Sequence, residues 1–531
     1  MEAFQTTTIN ALIVERSVPV AILPEQETPG GSLFLSNIDR VSAFYLPMVY
    51  SFGRSDARTV DVITKALSRV LIHYYPLAGR LAKNSQGKLT VDCEKKLGVP
   101  FVEASANCDI EDLGDMRFLD CNVLRKLVYR DSTDNIQEVA PLLTAQVTKF
   151  RCEGFTVGIT FNHCMFDGTS VMNFMNSWAE IARGRPLSLI PCHNRTILKS
   201  RAPPQITGTS DSFVQVSDVS DLKALYEEEQ IVWRSFHFDN EKLATLKKMA
   251  TTDGQIISSC SNFEALAALV WRARTIALKM KPHQLLKLLF PVDFRSKMKP
   301  PMPRYIGNAV VEACCLCTAG ELIDEPISFT VGRIQEAIER VNEDYVRSWI
   351  DSLDVHQFDL LSLTSLALAS WQRFDYGSTD FGWGKPRTFG TGDLREMKLP
   401  MPRYIGNAVV EACCLCTAGE LIDEPISVTA GRLQEANERV NKDYVWSWID
   451  SLDVYQFFDL LSLTLLVLAS WQRFDYGFTD FGWGKPRTFG TGDLPGGCLF
   501  MADGSERKAI VVVFGLPLLA METFKKLVQL E

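Results

Sequence analysis

The chain lacks any apolar run long enough to cross a bilayer. The longest runs, such as Ala509–Phe514, are the length of a strand. No membrane-spanning helix is therefore expected. Basic clusters are missing too, and the net charge is -9, which argues against a nucleic-acid partner. The fourteen cysteines show no regular disulfide framework, and no signal peptide opens the chain, so a reducing compartment, the cytoplasm, is expected. What remains is ordinary for a globular protein: 46% hydrophobic and 22% charged residues over 531 positions, enough for two or three domains.

One stretch organises the rest. Phe155, Val157, Ile159 and Phe161 alternate with Thr156, Gly158 and Thr160, the period of a half-buried strand. Val171, Phe174, Trp178 and Ile181 then recur at helical spacing up to Gly184 and Pro186. Between them lies Asn162-His163-Cys164-Met165-Phe166-Asp167-Gly168. His163 thus stands on the turn from strand to helix, held firmly yet able to reach a cleft. An imidazole there can take a proton from an alcohol near neutrality. A histidine at a strand end is more often structural, and Asp167 in this place also suits a helix cap, so the pair needs support from elsewhere.

The flanking chain reads as alternating strands and helices. Asp56–Tyr75 is helical by pattern and ends at Pro76; Lys88–Asp92 and Leu142–Lys149 are strands. Pro191–Ser212 is rich in Pro, Gly, Ser and Thr without a period, and reads as a long exposed crossover. Beyond it come a strand at Ser235–Phe238 and a helix at Asn240–Ala250. A second helix, Phe263–Lys279, is capped by Ser261, and a buried strand, Leu286–Val292, leads into Asp293-Phe294-Arg295. The last elements are a hairpin turning at Asp503-Gly504 and a closing helix in Pro517–Leu530.

Residues 298–394 are repeated as 397–494, with about a dozen differences and one insertion, Phe458. Two long copies are not a solenoid. One compact domain has room for one of them, and the sequence leaves open which copy completes the fold. Cys314-Cys315-x-Cys317, copied at Cys413, Cys414 and Cys416, sits in an apolar strand-like run without a nearby histidine, so no metal site is expected. Cys164 points away from its neighbour His163 on an extended chain and is not expected to be a nucleophile.

Three motifs together carry a resemblance: His163-x-x-x-Asp167-Gly168, Tyr75-Pro76-Leu77-Ala78-Gly79-Arg80, and Asp-Phe-Gly-Trp-Gly at Asp380–Gly384 and again at Asp480–Gly484. With the tyrosine motif upstream of the histidine motif and Asp-Phe-Gly-Trp-Gly downstream, the chain resembles the plant BAHD acyl-CoA-dependent acyltransferases over its whole length apart from the extra repeat. The resemblance implies an α/β fold of two chloramphenicol-acetyltransferase-like domains with a channel between them. It places the N-terminal domain in residues 1–190, the crossover in 191–212 and a C-terminal domain carrying the duplication in 213–531. It implies His163 as general base, with Asp167 turned away to orient the loop through a salt bridge to Arg295, beside Gly168. It gives Asp380, Gly382, Trp383 and Gly384, and their copies Asp480, Gly482, Trp483 and Gly484, a structural part. It sets Trp371 or Trp471 in the acyl or acceptor pocket. No bound cofactor is implied; acyl-CoA is a co-substrate, the partner is a small alcohol, and the protein is expected to be a monomer.

Within that family, Leu89–Cys93, Thr144–Phe150 and Phe263–Thr275 resemble the hydroxycinnamoyl transferases of ω-hydroxy fatty acids and fatty alcohols. Where shikimate and quinate transferases carry an arginine, this chain has Ser362 and Ser462, and the residues two before each tryptophan are Ala369 and Ala469. Both changes suit a less polar acceptor. Transfer to shikimate, quinate or a polyamine, and a non-catalytic accessory protein on the same fold, are the alternatives.

Overall fold

A computed structural model describes residues 12–113, 121–130, 140–206, 214, 216–222, 225, 231–252, 259–355, 364–370, 379–386, 388–391, 497–502 and 510–528. All of these belong to the unit made of residues 1–400 and 490–531. Strands of the first half are β1 (Val14–Arg16), β2 (Val20–Ile22), β3 (Ser32–Phe34), β4 (Tyr45–Phe52), β5 (Arg80–Lys83), β6 (Leu89–Asp92), β7 (Val99–Ala106), β8 (Leu143–Lys149) and β9 (Phe155–Asn162). Later strands are β10 (Ile231–Phe238), β11 (Leu285–Asp293), β12 (Val310–Thr318), β13 (Ser365–Ser370), β14 (Thr388–Thr391), β15 (Gly497–Ala502) and β16 (Ile510–Pro517). The helices are α1 (Asn37–Val41), α2 (Thr59–His73), α3 (Cys121–Leu127), α4 (Gly168–Ala182), α5 (Asn240–Thr252), α6 (Asn262–Ala277), α7 (Ala319–Asp324), α8 (Ile327–Arg340), α9 (Glu343–Val355) and α10 (Leu518–Leu527).

Two large mixed sheets dominate. The first has the order β1-β7-β8-β9-β4-β14, with β2 also on β7; the second runs β10-β16-β15-β13-β11-β12; β3, β6 and β5 form a small third sheet. On the first sheet, Phe155, Val157, Ile159 and Phe161 pack with Ile63, Leu67 and Val70 of α2 and Phe174 and Trp178 of α4. The alternating pattern suggested a half-buried strand, but all eight residues of β9 are buried. The other face is covered because Gly158 lets the chain at Leu127 come close: a Cβ there would lie 2.1 Å from the Leu127 carbonyl oxygen. The second sheet packs one face on α5, α6, α8 and α10 through Leu286, Leu288, Phe290, Leu366, Leu368 and Val512. Ser261 caps α6 in a reciprocal box with Glu264.

Copy one of the repeat completes both sheets. Its β13 runs parallel to β11 and to β15, so it occupies the slot between them. Its β14, although within the range 213–531, pairs antiparallel with β4 in the first sheet. Without that partner the long buried β4 would present an unpaired edge, which a chain of this size must cover. Copy two, with Trp471, Asp480, Gly482, Trp483 and Gly484, lies outside the described residues, as do Trp371 and the turn at Asp503-Gly504. No described helix is long and apolar enough to cross a membrane.

Candidate active site

His163 follows β9 directly, and its backbone N–H is tied to the Phe44 carbonyl at 2.7 Å. The ring stacks on Phe44 at 4.9 Å and lies 6.3 Å from Phe161. Its Nδ1 is sealed in, which leaves Nε2 as the ring nitrogen open to a substrate. Burial lowers the imidazole pKa below its ordinary value, against opposing pulls from Asp167, its own backbone and Asn308. The neutral, proton-accepting form therefore prevails at neutral pH.

Asp167 ends the same turn as the N-cap of α4, where its Oδ1 accepts from the Ser170 N–H at 2.8 Å. It is 3% exposed and ion-paired to Arg295, Nη1 to Oδ2 at 2.8 Å, while Arg295 Nη2 donates to Oδ1 at 2.9 Å. The Ala309 N–H adds a bond to Oδ2 at 2.9 Å. Burial pulls the carboxyl pKa up, but the guanidinium and these N–H donors outweigh it and hold it below the usual range. Arg295 is fixed in turn by Asp293 at 2.7 Å, the Gly307 carbonyl and the Ser170 hydroxyl. Asp167 is thus fully committed to Arg295 and the backbone. Gly168 opens α4 next to it.

A second buried ion pair lies under the same turn and has no counterpart in the sequence reading. Arg195, inside the stretch read as exposed, is 1% exposed; it meets Asp39 at 3.2 Å and donates to the Cys164 and Met165 carbonyls at 2.7 and 2.9 Å. Leu198 beside it is also buried. The crossover is polar in composition, yet it carries this anchor because three acceptors wait beneath it. Asp39 is held by the capping box of Ser36 on α1. Its Oδ1 accepts from the backbone and side-chain N–H of Asn308, both at 3.0 Å, and Asn308 Nδ2 also donates to the His163 carbonyl at 2.8 Å. Consecutive carbonyls of the turn, at 163, 164 and 165, are all bound by side chains. Ser36-Asn37-Ile38-Asp39 is a readable capping pattern. Asn308 lies within the repeated segment 298–394 and carries no other signal in the sequence. Nothing in the sequence pairs either with His163.

The Asp-Phe-Gly-Trp-Gly segment sits elsewhere. Asp380 Oδ1 accepts from the Gly382 and Gly384 N–H groups at 2.8 and 3.0 Å, and its Oδ2 meets Arg183 at 3.4 Å. Both glycines have positive φ, +112° and +95°. Phe381 plugs between Phe52 and Trp178, and Trp383 meets Phe155 edge-on. Arg183 follows the C-terminal end of α4 whereas His163 precedes its start, about 22 Å of helix away. Among the described residues no cluster of His, Cys, Asp and Glu could hold a metal ion. Cys315 and Cys317 point into the core of the second sheet, and the Cys315 thiol faces the Arg333 carbonyl.

Comparison with known proteins bears on this site. The sequence model of the Transferase family matches residues 13–397 and again 393–530. The chain is 46% identical to the omega-hydroxypalmitate O-feruloyl transferase of Arabidopsis thaliana, over 73% of this chain and 86% of that protein. It is 42% identical to a fatty alcohol:caffeoyl-CoA acyltransferase of the same plant, over 73% and 91%, and 33% identical to shikimate O-hydroxycinnamoyltransferase of Nicotiana tabacum, over 75% and 95%. Among solved structures, vinorine synthase superposes with a TM-score of 0.61 at 19% identity over 96% of both chains. F. graminearum TRI101 complexed with ethyl coenzyme A superposes with a TM-score of 0.62 at 13% identity, over 94% of this chain and 97% of that one. The fold is thus the α/β architecture of two chloramphenicol-acetyltransferase-like domains.

Proposed function

The chain belongs to the Transferase family of BAHD acyl-CoA-dependent acyltransferases, and from that premise we propose that it moves a hydroxycinnamoyl-type acyl group from CoA to the hydroxyl of an ω-hydroxy fatty acid or fatty alcohol. The observation that carries the chemistry is His163: a neutral imidazole on a braced turn, with Nδ1 buried and Nε2 open. The substrate class rests on the feruloyl and caffeoyl relatives at 46% and 42% identity.

The reaction follows from these groups. Nε2 of His163 takes the acceptor hydroxyl proton as the oxygen attacks the thioester carbonyl. The tetrahedral intermediate collapses, the carbon–sulfur bond breaks, and the CoA thiolate recovers the proton from His163. Asp167 carries no proton in this scheme; with Arg295 it keeps the turn in place. The first half is taken as residues 1–190 completed by β14 of the later chain, and the second as the sheet that begins with β10 beyond the 191–212 crossover, with a channel for the two substrates between them. The enzyme acts as a cytoplasmic monomer.

Free thiol release from feruloyl-CoA with a long-chain ω-hydroxy acid tests the reading. Release that requires the acceptor and falls on the order of 10²–10⁴ in His163→Ala is the expected result. Turnover with shikimate or spermidine but not the hydroxy acid would overturn the substrate class. Silence with all three would favour an accessory protein.

A further inference from the structure

Two buried atoms at the reacting ring make no hydrogen bond of good geometry, Nδ1 of His163 and Oδ1 of Asn308, although the Asn308 side chain is near enough to favour the protonated ring. The orientation of the Asn308 amide is not arbitrary. Its nitrogen donates to Asp39 Oδ1 at 3.0 Å and to the His163 carbonyl at 2.8 Å. Turning the amide over would set its oxygen against a carboxylate and a carbonyl, three acceptors facing one another. Oδ1 is therefore an acceptor held next to an imidazole. A neutral imidazole carries one N–H. On Nε2, it would leave Nδ1 and Oδ1 as two buried acceptors; on Nδ1, it satisfies both at once.

We propose that Asn308 is a positioning residue that sets the tautomer of His163, its Oδ1 accepting from Nδ1–H so that the lone pair stands on Nε2, where the acceptor hydroxyl arrives. This rests on the reading of His163 as general base. Asp39 holds the amide at this angle, and Arg195 and the Ser36 cap hold Asp39. The Asn308 amide also supports the protonated ring against the effect of burial, so the same contact tunes the base. A competing partner exists in the carbonyl of His163 itself, and the experiment separates the two.

The full chain, labelled with ¹⁵N-histidine, is read by long-range ¹H–¹⁵N correlation, with His163 assigned by its loss in His163→Gln. Nδ1–H with bare Nε2 is expected; Nε2–H overturns the proposal without any variant. Asn308→Leu removes the acceptor at similar size. A loss of about tenfold or more in kcat, bounded by the 10²–10⁴ of losing the base, is expected with KM for acyl-CoA near its original value. The acidic limb of the rate profile should move to lower pH. Asn308→Asp keeps an acceptor and adds charge, so that limb should move to higher pH. If Asn308→Leu keeps kcat, the profile and Nδ1–H, the histidine's own carbonyl sets the tautomer and the proposal fails. If His163→Ala keeps full activity, the general-base reading fails instead, and the two failures remain distinct.

Discussion

Deleting Arg395–Leu494 should leave an intact and slightly more stable enzyme. The reasoning starts from the slot between β11 and β15, which Ser365–Ser370 of copy one fills. β14 ends at Thr391 and β15 begins at Gly497, so copy two is an insertion in the connection between two strands of the completed fold. After the deletion only Gly392-Asp393-Leu394-Pro495-Gly496 joins them, a roughly twentyfold shorter connection. Treating the inserted residues as chain with no order of their own sets the upper bound on their cost. Loop closure scales as (3/2)RT ln n, so the gain is at most about 3 kcal/mol. For a chain of this size that is a rise of about 3 °C in Tm. Exchange of the copies would cost more. Copy two carries Ala430 where Val331 is fully buried, Asn437 where Ile338 packs against the core, and Leu465 where Ser365 has no exposed surface. Losing the two methyls alone costs about 2 kcal/mol. The assay is thermal unfolding beside thiol release, with the full chain as reference. A deleted chain that unfolds, or that loses turnover while the full chain keeps it, would refute the assignment of the slot to copy one.

Arg295→Met should destabilise the fold by about 3–5 kcal/mol in urea titrations, because Asp167 is left buried and charged; adding Asp167→Asn should recover part of that loss. Stability should fall as the pH drops from 6.5 to about 4, since His193, pushed down to about 4 mainly by burial, resists the proton that the unfolded chain accepts. His193→Gln should flatten that slope in urea midpoints measured across the range. The lowered pKa of His163 has a kinetic counterpart: the acidic limb of kcat/KM should lie below pH 6.5. Gly307→Ala should unfold at lower temperature, because φ is +152° there and a Cβ would stand 2.8 Å from the Tyr305 hydroxyl.

The parts of the site legible in the sequence are those whose cause is local. His163 and Asp167 lie on one turn, between a period-two run and a period-3.6 run, and both periods are visible without a partner. The cap at Ser261 and the stop after α2 are likewise short-range. Arg295 was reachable only through the resemblance, since 128 residues separate it from Asp167. Arg195 shows why the remainder was hidden. Its neighbours are polar and punctuated by proline, the composition of an exposed connection, and its partners Asp39, Cys164 and Met165 come from elsewhere in the chain.

The same contrast explains why the turn needs two buried ion pairs. A strand-to-helix turn leaves its carbonyls without ladder partners, and they must be satisfied once covered. Arg195 and Asn308 supply donors to three consecutive carbonyls. Each donor would be costly to bury alone, so each is paired with Asp39, whose own oxygens are capped by Ser36. On the other side Arg295 performs the same service for Asp167, the Ser170 hydroxyl and the Gly307 carbonyl. Replacing either pair with apolar residues could preserve stability, but it would free the backbone that carries His163. The charges are therefore best understood as fixing the position of one imidazole, and the test is a variant that keeps its Tm and loses kcat.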